Sequence, residues 1–108
     1  MQNNLLLTPL EAPLRGLRLV GELDMGSAPD LTDALTAMSG HGDVRLELSE
    51  LEFIDSAGLH AIVQYAGSLD GDGDKLILAN PSAMTQRVFE IASFAKHPRI
   101  VVEATSGE

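Results

Sequence analysis

Short extended-looking runs take turns along this chain with segments whose apolar side chains recur at three- and four-residue spacing, and that alternation restricts the fold more than any other feature. Residues 5–11 can form a first strand, which Pro9 pushes towards a sheet edge. Gly16-Leu17-Arg18-Leu19-Val20-Gly21-Glu22-Leu23 alternates at Leu17 and Leu19 and reads as a second strand. Val44-Arg45-Leu46-Glu47-Leu48 alternates apolar with charged residues and marks a third. Lys75-Leu76-Ile77-Leu78-Ala79 is an apolar run bounded by Asp-Gly and Asn-Pro, a pattern that suits a strand covered on both faces. Ile100-Val101-Val102 is a β-branched run fit for a last strand.

Helical stripes fill the intervals. Leu31, Ala34, Leu35 and Met38 fall at i, i+3, i+4 and i+7, with Pro29 in the first turn, Ser27 as a candidate cap and Gly40 as a stop. Leu59, Ile62, Val63 and Ala66 repeat the spacing behind Asp55 or Ser56 as cap. Met84, Val88 and Ile91 form a third stripe opened by Pro81-Ser82. Met38 and Met84 are thereby assigned to core positions. The order β-β-α-β-α-β-α-β predicts an α/β fold: a single domain over 1–108, with a mixed, mostly parallel sheet of four to five strands and three to four helices. The polar tail Ala104 to Glu108 is expected to fray. Strand-to-helix loops of a parallel sheet leave from the carboxyl ends of its strands. Asp24 to Ser27, Ser49 to Ser56 and Asn80 to Ser82 are therefore expected to gather on one edge. Asp24, Asp55, Ser56 and Asn80 are the polar candidates there.

Charge narrows the partners. Sixteen acids against seven scattered bases give a net charge of −9, which argues against nucleic acid and against an anionic bilayer. With no cysteine, disulfides and thiolate metal sites are excluded, and a reducing cytosol fits. Met1 to Leu7 carry no basic n-region and only three consecutive leucines, so neither a signal peptide nor a membrane span is expected. The charge leaves a protein partner or a cationic small molecule open, and a cytoplasmic monomer is the default expectation.

The chemistry concentrates in Phe53-Ile54-Asp55-Ser56-Ala57-Gly58-Leu59, where an apolar run ends at Asp-Ser and a helix begins at once. A hydroxyl there sits beside unpaired backbone N–H groups and the positive end of the helix dipole, so a phosphate would be well accommodated. The same stretch, taken alone, is more often an ordinary N-cap, with Gly58 serving close packing rather than access to the hydroxyl.

The segment resembles the signature of STAS domains, whose anti-sigma factor antagonist members carry Asp-Ser-x-Gly-Leu at this junction. Gly21-Glu22-Leu23-Asp24 followed by Ser27-Ala28-Pro29 is similar to the family's second strand and first helix start. Asn80-Pro81-Ser82 leading into Val88-Phe89-Glu90-Ile91 is similar to its fourth strand and third helix, so the resemblance covers roughly residues 14–92 in register. It implies that Ser56 is phosphorylated by a serine kinase that is itself the anti-sigma factor, bound only by the unmodified protein, and that a phosphatase resets the switch. Asp24 corresponds to the acidic residue beside the phosphosite. The implied docking surface comprises Asp24, Met25 as an apolar contact, Asp55, Ser56, Ala57, Gly58, Leu59 and His60. Three features depart from the family pattern. His60 stands where a small residue is usual, Ser93 to Pro98 lacks the usual Gly-Leu turn, and the first strand is poorly marked.

Other readings are weaker. An accessory STAS subunit of an ABC transporter ATPase would keep the fold and leave Ser56 as a cap. A serine hydrolase built from Ser56, His60 and Asp55 lacks a nucleophile elbow. Asp70-Gly71-Asp72-Gly73-Asp74 has Lys75 where a calcium loop needs glycine and Pro81 where it needs glutamate, so it reads as a solvated turn. His41 and His97 lack regularly spaced companions for a metal. No cofactor is expected.

Overall fold

The five extended runs pair in chain order in one sheet. The computed structural model describes residues 4–38, 42–69, 71 and 73–103. Strand β1 (Leu5–Pro9) runs antiparallel to β2 (Gly16–Leu23). Strands β3 (Val44–Ile54), β4 (Leu76–Ala79) and β5 (Ile100–Glu103) then follow parallel to β2. Helices α1 (Ala28–Ala37), α2 (Ser56–Ser68) and α3 (Ala83–Ile91) cross between them, and a 3₁₀ turn, Phe94–Lys96, precedes β5. The predicted class, mixed sheet and element order all hold. Gly40, His41, Asp70, Asp72 and residues 104–108 lie outside the described residues.

The strand order has a consequence for layering. Right-handed crossovers that always advance in one direction place every helix on the same side of the sheet. The core agrees. Leu17, Leu46, Leu78 and Val102 share one row across the sheet, and their face joins Leu31, Leu35, Ile62, Ala66, Phe89 and Phe94 in a single cluster. None of Leu6, Val20, Ile77 and Val101, from the reverse face, belongs to that cluster. The expectation that β4 is covered on both faces therefore fails. Ile77 is half-buried and looks out beside the 2.7 Å Arg45–Glu103 ion pair on the same face.

Two strand lengths also differ from expectation. The first strand stops at Pro9 rather than residue 11. The third runs on past Leu48 to Ile54, through residues expected to form a loop. Its pairing with β2 shifts register between Arg18 and Val20 and again between Gly21 and Glu22. Such bulges break two-residue alternation, so Leu51 and Ile54 return to the core out of phase with Leu48.

The longer β3 moves the third loop. Glu47 pairs with Ala79, whereas Ile54 pairs with Leu23. The β2–β3 pair thus overhangs β4 by Leu48 to Ile54, about 23 Å of strand at 3.3 Å per residue. Only the first two loops meet. Asn80 is set back, with its amide donating to the Glu47 carboxylate at 3.1 Å.

Helix α3 corrects the core assignment. Met84 is 61% and Ile91 78% exposed, while Thr85 and Phe89 turn inward. Phe89 stacks on Phe94 with centroids 5.0 Å apart, and Ser82 accepts from the Thr85 amide and bonds its hydroxyl. Ser93 takes the left-handed conformation (φ 59°) just past the helix end, which lets Phe94 fold back onto the helix. Met38, by contrast, is half-buried against the core as expected.

Candidate functional site

The overhanging tip brings the ends of β2 and β3 side by side, so the starts of α1 and α2 become neighbours. Asp55 is the link between them. Its backbone is extended (φ −114°, ψ −173°), the geometry of an N-cap, and its Oδ1 accepts from the Gly58 amide at 3.0 Å. Its Oδ2 accepts from the Met25 amide at 3.2 Å, and its own amide donates to the Leu23 carbonyl. One carboxylate therefore caps α2 and holds the β2–α1 turn in place.

Asp24, rather than the expected Ser27, supplies the side chain that organises the turn into α1. The Asp24 Oδ1 accepts from the amides of Gly26 and Ser27 at 3.0 and 3.1 Å, folding the turn back on itself. Ser27 is buried, and its side chain caps no helix amide. Its hydroxyl instead donates to the Glu22 carbonyl and accepts from the Asp24 amide. The sequence signal was present in Asp24-Met25-Gly26-Ser27, since aspartate two residues before glycine favours an Asx turn.

Ser56 is the first residue of α2 and is exposed. Its hydroxyl makes no hydrogen bond among the described residues. Around it, Met25 is 76% exposed, His60 is exposed, and Ala57 and Leu59 are half-buried. An open groove of about 460 Å³ runs from Met25 and Ser56 past His60 to Asp33 and Gln64, between α1 and α2. His60 and Ser56 share this groove with no hydrogen bond between them.

Gly58 is different: it is buried. A Cβ on it would lie 2.8 Å from both the Cγ and the carbonyl oxygen of Leu23 and 2.9 Å from Ile54 Cγ1. The close-packing reading of this glycine accounts for it, and access to the hydroxyl does not. At the far end of α2, burial pushes the Tyr65 phenol above its ordinary pKa, opposed by Arg15 and reinforced by Asp74. That group lies away from the tip. No helix among the described residues is long and apolar enough to cross a membrane.

Comparison with known proteins agrees with this geometry. The chain is 33% identical over 76 residues to the anti-sigma-B factor antagonist of Bacillus subtilis, a span covering 69% of this chain and 70% of that protein. It is 31% identical over 77 residues to the protein of the same name from Staphylococcus aureus, covering 69% and 71%. Among solved structures, an anti-sigma factor antagonist from Mycobacterium paratuberculosis superposes with a TM-score of 0.73 at 22% identity, over 94% of this chain and 85% of that one. The unphosphorylated form of the anti-sigma factor antagonist SpoIIAA does so with a TM-score of 0.61 at 23% identity, over 94% and 89%. These two show the shared fold. Residues 13–107 match the model of the STAS domain, and with the capped Asp-Ser junction at the tip of its sheet the chain belongs to the STAS domain family.

Proposed function

We propose that this protein is an anti-sigma factor antagonist, a non-enzymatic cytoplasmic switch thrown by phosphorylation of Ser56. The observation that carries the reading is the state of that side chain: exposed, unbonded among the described residues, and first in a helix whose cap is already supplied by Asp55. A kinase can take the hydroxyl without dismantling the fold. The unmodified tip, with Met25 as its apolar contact, binds an anti-sigma factor that is also the serine kinase, and so frees the sigma factor. Magnesium and ATP belong to that kinase. A phosphatase restores the binding form.

Charge explains the switch without a rearrangement. A phosphate adds about −1.5 to −2 charge directly after Asp55 and, as the family resemblance implies, near Asp24. The free first-turn amides of α2 stabilise it within the folded chain. In a complex, the same charge is pressed against a desolvated surface, where like-charge contacts cost several kcal/mol.

The test uses the anti-sigma kinase encoded by the same genome. Incubation with Mg-ATP and phosphopeptide mapping should find phosphate on Ser56, and Ser56→Ala should bind the kinase yet resist modification. Ser56→Asp should fold normally and bind at least about tenfold more weakly. Phosphate on Ser49 instead, or equal affinity for Ser56→Asp, would overturn the reading. An accessory role on a transporter ATPase predicts no phosphorylation at all.

A further inference from the structure

We propose that the free edge of β3 from Leu48 to Phe53 is a second docking surface, which takes an extended basic segment of a partner protein as an added strand. Among the described residues, β4 pairs with β3 only over Val44 to Glu47, while β2 stays paired with β3 as far as Ile54. The overhang therefore has a partner strand on one side only. An edge of this length is ordinarily kept short, closed by proline or covered, because its unpaired amides and carbonyls accept another strand. The outer strands follow that rule: β1 ends in Pro9, and β5 has four residues. The β3 overhang follows it only in carrying charge and in its two register shifts, and it has neither proline nor a covering strand.

That charge selects the occupant. An open groove of about 540 Å³ lies between the edge and the start of α3, lined by Ser49, Glu50, Leu51, Glu52, Ser82 and Met84 among others. No basic residue lines it. Arg18 reaches Glu50 at 3.9 Å with both side chains well exposed, a pair worth little in water. Glu52 has no partner among the described residues. Burial rather than simple alternation sorts these side chains, because β3 shifts register here: Glu50 and Glu52 are exposed, and Leu51 between them is buried in the core. A segment that alternates basic with apolar side chains sets its charges over the two carboxylates and its apolar groups towards the exposed Met84. A second copy of this edge brings carboxylate to carboxylate and is disfavoured. Backbone pairing gives such a complex its affinity, and the alternate side chains give its specificity. The surface acts independently of Ser56.

The probe is a synthetic peptide, Lys-Val-Lys-Val-Lys-Val-Lys, titrated into the full ¹⁵N-labelled chain. The expected result is amide shifts concentrated on Ser49 to Phe53, with the methyl signal of Met84 moving at the same concentrations. Glu52→Lys should weaken binding at least about tenfold. Glu90→Lys on α3, which changes net charge equally but lies outside the groove, should leave it unchanged. A peptide with alternate amides N-methylated on its pairing edge should fail to bind. Shifts spread over the whole acidic surface, full binding by the N-methylated peptide, equal loss in Glu90→Lys, or no shifts at millimolar peptide would each overturn the proposal.

Discussion

Helices α2 and α3 carry apolar stripes of similar helical spacing, and the fold turns most of the first inward, Val63 excepted, while it leaves both ends of the second, Met84 and Ile91, facing solvent and packs only Val88 against the core. In α2, Ile62 and Ala66 are fully buried, and Leu59 packs against the core. In α3, Met84 and Ile91 are among the most exposed apolar residues of the molecule. The rotation of α3 is set from outside it. Phe89 is the largest apolar side chain on the helix and finds a stacking partner in Phe94, one turn beyond the helix end. A buried aromatic pair contributes more than two half-covered aliphatic contacts. The polar group this face also buries, Thr85, is satisfied by Ser82. No such competing face exists on α2, whose Ser56, His60 and Gln64 fall on the open side. A stripe in sequence thus shows that a helix has an apolar face; the rest of the molecule selects which face is buried.

The contrast breaks first at Phe89. Phe89→Ala removes the ring that sets the rotation of α3 and should cost about 3–5 kcal/mol, read from the urea midpoint at unchanged slope. A loss below 1 kcal/mol would mean that the Met84 face can replace it. Gly58→Ala is the corresponding probe of α2. The added methyl meets the Leu23 carbonyl, which belongs to a paired strand and has little freedom to yield. The expected loss is about 2–3 kcal/mol, or some 10–20 °C in Tm for a domain of this size. An unchanged Tm would show that α2 can lift from the sheet and that the tip is softer than its contacts indicate.

Asp55→Ala should come next, at about 1–2 kcal/mol for the lost cap. Its distinguishing sign is local. Amide exchange should speed up at Met25 and Gly26 as well as at Gly58, because the same carboxylate holds both turns. Faster exchange in α2 alone would reduce Asp55 to an ordinary cap.

Much of this was legible in the sequence, for reasons that also explain the failures. Element order followed from periodicity, and the α2 cap from Asp55-Ser56, because both are local properties of the chain. The overhang was hidden because bulges opposite Arg18 and Gly21 shift the phase of β3 after Leu48. Its length relative to β4 is a matter of pairing, which no single segment encodes. At the site, Ser56 and Asp55 were identifiable from their junction. The bond from the Met25 amide to Asp55 spans thirty residues and appears only when two strand ends meet. Asn80 was grouped with them from its position after a strand, but it sits far back along the sheet because β4 ends early.

The smallest effect is the sharpest test of the comparison. Met84→Ser and Ile91→Ser change side chains that a periodicity reading puts in the core, where each would cost several kcal/mol. With most of both side chains already in water, each replacement should instead alter stability by no more than about 0.5 kcal/mol. The measurement is a pair of urea curves against wild type, with the Phe89→Ala curve as the internal standard for a buried position on the same helix. A loss in either serine variant comparable to that standard would place the Met84–Ile91 face inside the molecule. A near-zero loss in both leaves α3 with an apolar face that contributes little to folding. Retention of Met84, the end of that face beside the free edge of β3, is then a matter of what binds there rather than of what holds the domain together.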